Sequence, residues 1–146
     1  MKELTVLKIR KILLHILLLL ISFTLSYTIT YSLNFLPNGY EVMVREESSL
    51  TIQSNTVFGI KDDIISYAPP ELRKIDRLDD VIYNQKENLW LFFTAFFISL
   101  ILFFYRLSKG EKIMHCLFKS GILAALFALL PYIQTVDRIQ FIIANT

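Results

Sequence analysis

Apolar residues in this chain are gathered into three blocks from which charge is almost excluded. From Ile12 to Phe35, 24 residues carry no Asp, Glu, Lys or Arg. At about 1.5 Å of rise per residue, a helix of that length crosses a hydrocarbon layer of about 30 Å. Asn88 to Tyr105 is a second block of 18 residues, built around LWLFFTAFFISLILFFY. Ile113 to Tyr132 is a third, 20 residues with one charge, Lys119. That ammonium can extend back toward the Lys112 end while its methylene stem stays in lipid. Lipid offers no partner to backbone N–H and C=O groups, so each block is expected to be a helix.

Between the first two blocks the period changes. Tyr40, Val42 and Val44 alternate with Glu41, Met43 and Arg45, and Leu50 and Ile52 then alternate with Thr51 and Gln53. This is the period of half-buried strands, and REESS between them reads as the turn of a hairpin. Two strands alone are marginal and need a surface to pack on. Pro69 and Pro70 close that stretch, and from Glu71 the period becomes helical, with Leu72, Ile75, Leu78, Ile82 and Leu89 on one stripe. The spacing predicts an amphipathic helix that continues without a break into the second apolar block. Beyond the third block, where Pro131 is expected to end the helix, Ile133, Val136, Ile139 and Ile143 recur at helical spacing and are expected to lie on the membrane surface.

The fold class that follows is a mainly α membrane protein: three transmembrane helices with a small α+β module, hairpin plus amphipathic helix, between the first and second. Its expected organisation is a basic arm (1–11), helix 1 (12–35), the module (36–87), helix 2 (88–105), a basic turn (106–112), helix 3 (113–132) and a tail (133–146).

Composition strengthens this picture. The chain is 54% hydrophobic and 19% charged with a mean hydropathy of +0.50, whereas a soluble domain carries about a quarter of its residues as charge. Lys2, Lys8, Arg10 and Lys11, and in the turn Arg106, Lys109 and Lys112, crowd against helix ends on one face. The positive-inside rule assigns that face to the cytoplasm, against the pull of Arg45, Lys61, Arg73, Lys74, Arg77 and Lys86 in the module. The expected location is a bacterial plasma (inner) membrane, multi-pass, with the N-terminus cytoplasmic and the C-terminus extracytoplasmic. Tyr27, Tyr31, Trp90 and Tyr132 fall toward one interface and Tyr105 toward the other. The first block resembles a secretory signal in its basic start, but its length and the absence of a small-residue cleavage site favour an uncleaved anchor.

Candidate chemistry is sparse. No Gly-rich phosphate loop, G-x-S-x-G or H-E-x-x-H occurs, so an enzyme is not expected, and neither a cofactor nor nucleic acid is implied. Asp62, Asp63, Asp76, Asp79 and Asp80 could gather oxygen ligands but lack the EF-hand spacing, and the same residues fit a solvated or salt-bridged face. His15, His115 and Cys116 are metal-ligand types but fit no metal-ligand spacing, and they are read as interfacial histidines and a packing cysteine. The single cysteine excludes an intrachain disulfide.

The clearest specific pattern is small: Cys116, Ser120, Ala124 and Ala128 recur every four residues beside Gly121 and Ala125, and Ser22, Ser26 and Thr30 form a matching strip on helix 1. Such stripes let helix backbones approach closely, within one chain or against another membrane protein or a second copy. Arg73, Asp76, Arg77 and Asp80 offer a charged interaction surface on the amphipathic helix. Together these features lead to a small non-catalytic regulator or sensor in contact with the bilayer, its outward module coupled to helix 2. The alternative is an accessory or immunity-type subunit that docks through its helices on a larger membrane complex.

Overall fold

The computed structural model describes residues 1–145 and is mainly helical, with one three-stranded antiparallel sheet. Helix α1 spans Lys2–Tyr27 and widens at its exit into a π-helical turn, Thr28–Ser32, closed by a Leu33 N–H to Thr28 carbonyl bond of 3.0 Å. Strands β1 (Tyr40–Arg45), β2 (Leu50–Asn55) and β3 (Lys61–Tyr67) pair in the order β1-β2-β3. Helix α2 (Leu72–Ser108) follows as one uninterrupted rod of 37 residues, about 55 Å long. The chain returns along it through α3 (Ile113–Lys119), α4 (Ile122–Phe127) and α5 (Leu130–Ala144).

The unbroken amphipathic helix is present as expected, starting at Leu72 after an extended Glu71. Its buried stripe is Ile75, Leu78, Val81, Ile82, Gln85 and Leu89; Leu72 lies outside it, 60% exposed in the first turn. The hairpin is also present, with a bulge between Val42 and Val44 that breaks the alternation and leaves Val44 outside. An extra residue in one strand shifts every later side chain to the other face.

β3 was not anticipated. It covers Asp62 and Asp63, and neighbouring residues in a strand point to opposite faces, so these two carboxylates diverge.

The third apolar block departs most from expectation. Instead of one helix over Ile113–Tyr132, α3 stops at Ser120, Gly121 turns left-handed (φ +78°), and α4 begins on a new phase. Only glycine takes that backbone region without steric penalty, which is why the break falls there. Lys119 lies in the last turn of α3, where a cation faces the free carbonyl end of the helix. Pro131 does not end a helix but begins one: it occupies the first turn of α5, where its missing N–H costs nothing. The residues expected to lie on a surface beyond it are therefore helical, and Val136 and Ile139 pack with Tyr132 into the core while Ile133 stays 44% exposed.

Three helical stretches are long and apolar enough to cross a membrane: Lys2–Ser32, Leu72–Ser108 and Ile122–Ala144. α2 stands between the others, packing against α1 on one side and α3, α4 and α5 on the other. One cluster of large apolar side chains joins Leu36, β1, β2, Tyr67, the first half of α2 and α5. Below it, from Trp90 onward, the buried side chains are small: Ser22, Ser26, Thr30, Thr94, Ser99, Cys116, Ser120 and Ala125.

Candidate functional site

Where α1 gives way to the sheet, four elements are tied together by side chains that reach the backbone. Gln85, fully buried on α2, accepts a 3.0 Å bond from the Tyr40 N–H at its Oε1 and donates from Nε2 to the Tyr40 carbonyl. One amide thus replaces a missing strand neighbour at the outer edge of β1, whose backbone groups would otherwise be buried unpaired. Asn55 Nδ2 donates to the Leu36 carbonyl at 3.2 Å, and the Tyr132 hydroxyl donates to the Pro37 carbonyl at 2.7 Å. Gly39 lies in the middle. A Cβ there would stand 2.7 Å from Leu36 Cβ, 2.9 Å from the Tyr132 hydroxyl and 3.1 Å from Gln85 Oε1. Asn88 Nδ2 donates to Thr135 Oγ1 at 2.9 Å just below, so α2 and α5 are also joined at this level.

At the far end of the module, Arg45 pairs with both Asp76 and Asp79 across the gap between β1 and α2. Beside this pair lies an open cleft of about 540 Å³ lined by Arg45, Glu46, Glu47, Leu72, Ile75 and Asp76. Its lining sets three carboxylates, Glu46, Glu47 and Asp76, against one cation, Arg45, beside Leu72 and Ile75 at the start of α2. Of the charged surface expected on this helix, Asp76 is engaged by Arg45, while Arg73, Arg77 and Asp80 remain exposed. Asp79 completes the pair, which matches the salt-bridged face and not the cation site among the two readings of these carboxylates.

The two small-residue strips are not partners of each other. Ser22, Ser26 and Thr30 are fully buried, and the Ser26 and Thr94 hydroxyls bond at 2.6 Å, which places this strip against α2. Ser22 Oγ and Thr30 Oγ1 are buried with no hydrogen-bond partner among the described residues. On the returning helices the buried positions are Cys116, Ser120 and Ala125. The turn at Gly121 shifts the phase by one residue, so Ala124 faces outward and Ala128 is half-buried. A period read through an assumed continuous helix could not register that shift. Gly121 itself lies against α2, with the position of an added Cβ 3.8 Å from Ser99 Oγ.

The histidines are separated. His15 Nδ1 lies 2.6 Å from the Lys11 carbonyl and its ring lines a small apolar crevice with Ile98 and Leu102, whereas His115 faces Glu111. Among the described residues no group of three or more His, Cys, Asp or Glu side chains is placed to share a metal ion. The residue that sequence reasoning missed most clearly is Gln85, although its signal was present: a polar side chain at a core position of the Ile75, Leu78, Ile82, Leu89 stripe.

These features define a class: three long apolar helices capped at one end by a small antiparallel sheet that shares a core with two of them. No family model matches the chain, and no curated protein or solved structure is significantly similar to it.

Proposed function

We propose that this chain is a non-catalytic regulator or sensor of a cell membrane, in which an extracytoplasmic module reports through α2 to the inner face. The observation that carries this reading is the continuity of α2: the helix that lines the cleft at Leu72 and Ile75 is the one that reaches Ser108 without a break. A ligand or partner seated on that cleft would bear directly on a rod about 55 Å long. With Arg45 engaged by Asp76, the carboxylates of Glu46 and Glu47 beside Leu72 and Ile75 suit a cationic, partly apolar ligand.

A membrane placement draws further support from the way the helices meet. The fully buried contacts below Trp90 are made by Ser, Thr, Ala and Cys while Leu13, Leu17, Leu20, Leu91 and Phe104 face outward, the arrangement expected of helices in lipid. The orientation, with module outside, rests on Lys8, Arg10, Lys11, Arg106, Lys109 and Lys112 at the opposite end.

Inserting Gly-Gly between Glu87 and Asn88 tests the coupling, because it would soften α2 and break its register with Thr135. In cells lacking the gene, the insertion variant should reach the membrane at normal levels yet fail to restore whatever the unaltered gene restores. Full restoration would remove the coupling. The docking-subunit alternative rested on the Ser120 to Ala128 stripe, and Cys116, Ser120 and Ala125 are buried within the chain, which leaves Ala124 as its main outward member.

A further inference from the structure

The turn between β2 and β3 reads Thr56-Val57-Phe58-Gly59-Ile60, and its three large apolar side chains are 63%, 79% and 65% exposed. Tight turns ordinarily place polar residues or glycine at their tips, and a run of exposed apolar residues there has to be matched by something apolar. The turn is well formed: the Gly59 N–H bonds the Thr56 carbonyl at 2.9 Å, the Thr56 N–H bonds the Ile60 carbonyl at 2.8 Å, and Thr56 Oγ1 accepts from the Ile60 N–H at 3.2 Å. Its shape is fixed by its own backbone, and its apolar tip is turned outward.

The height of this turn on the molecule says what it meets. Asn38 N–H bonds the Thr56 carbonyl at 2.9 Å, and a Cβ at Gly59 would stand 2.9 Å from the Phe35 ring. The Phe35 ring lies 6.2 Å from that of Phe93, which is already inside the apolar stretch of α2. Leu33, 70% exposed, sits at the same junction, and Tyr27, Tyr31 and Trp90 form a ring cluster on the adjoining stretch of α1 and α2. Such aromatic groupings mark the headgroup level of a bilayer. Polar chain resumes at once on both elements, with Lys61, Asp62 and Asp63 after the turn and Lys86 bonding Asn34 at 3.1 Å.

We infer that the Val57-Phe58-Gly59-Ile60 turn is a lipid-inserting foot, which buries its side chains in the interfacial layer of the same bilayer and sets the module's tilt against it. This inference rests on the reading that the three long helices cross a membrane. Ile60 and Lys61 mark the depth at which insertion stops, with the Lys61 ammonium placed to meet lipid phosphates.

The test uses the full chain in phosphatidylcholine bilayers whose acyl chains carry bromine either near the glycerol end or near the terminal methyl. In a Trp90→Phe background, Phe58→Trp should lose emission chiefly to the shallow bromines, and Leu20→Trp, on the outer face of α1, chiefly to the deep ones. If Leu20→Trp is quenched while Phe58→Trp is quenched by aqueous iodide and by neither lipid, the foot is wrong and the spanning helices stand. Protection of Phe58→Trp from iodide and from both lipids would mean that protein covers the turn, which also overturns the proposal. Absence of bromine quenching at both positions would remove the spanning reading itself, and the foot with it. A nitroxide on Phe58→Cys in a Cys116→Ser chain repeats the measurement with Trp90 intact: relaxation by dissolved oxygen should exceed relaxation by a water-soluble nickel chelate, and the reverse order would overturn the inference.

Discussion

The two halves of this molecule bury opposite kinds of residue. In the module half, the fully buried side chains are large, Leu36, Leu50, Ile52, Leu78, Leu89 and Ile139 with the amide of Gln85 among them, and charge lies outside on Arg73, Arg77 and Asp80. In the helical half, Ser22, Ser26, Cys116 and Ser120 are inside, and Leu13, Leu17, Leu20 and Phe104 are outside. A single helix, α2, changes from one rule to the other near Trp90 within a few turns. On the reading that the long helices cross a membrane, the medium across from each side chain accounts for this change. Where water is the alternative, burying Leu is favourable; where lipid is the alternative, Leu gains little by turning inward and close backbone approach decides.

Truncation should separate the halves most sharply. Leu78→Ala removes a fully buried side chain from the module core and should cost about 2–5 kcal/mol, whereas Leu17→Ala, 53% exposed on α1, should leave the unfolding midpoint in micelles unchanged. Equal losses at the two sites would erase the contrast. Next in size is Gln85→Leu, which keeps the bulk but strands the Tyr40 N–H and carbonyl; about 3 kcal/mol should be lost, and amide exchange at Tyr40 should accelerate first. Among the helices the terms are smaller. Ser26→Ala deletes the bond to Thr94 and should cost about 0.6 kcal/mol in a double-mutant cycle with Thr94→Ala, a coupling that vanishes if the hydroxyls do not meet. The smallest effect is expected at the module's tip, where Arg45→Ala breaks an ion pair that is half exposed and should change stability by about 0.5 kcal/mol, and by less at high salt.

How far the sequence could be read follows the same division. Helices α1 and α2 were legible because an apolar run without charge has few structural options, and the Ile75, Leu78, Ile82, Leu89 stripe marked the buried face of α2 before any partner was known. The first hairpin was legible from its alternation until the bulge at Val42 and Val44. β3 was hidden because it lies at the sheet's edge and turns only Ile65 and Tyr67 inward; Lys61, Asp62 and Asp63 gave it the look of a loop. The third apolar block misled for a different reason. Hydropathy measures length and not phase, so it could not register the left-handed turn at Gly121, and Pro131 carries the same letter whether it stops a helix or starts one. The knot of Gln85, Tyr132, Asn55 and Gly39 joins positions up to 95 residues apart, and no local pattern reports such a meeting.

In the proposed arrangement the two halves lie in different media, with the module on the outer side of the membrane. Single cysteines introduced at Ser48, exposed in the β1–β2 turn, and at Ser108, exposed at the end of α2, can be challenged on whole cells with a membrane-impermeant maleimide in a Cys116→Ser background. In that arrangement position 48 is labelled and position 108 is protected until the cells are opened. Labelling at 108 with protection at 48 would invert the protein and contradict it, and labelling at both in intact cells would mean that α2 does not stand across the membrane.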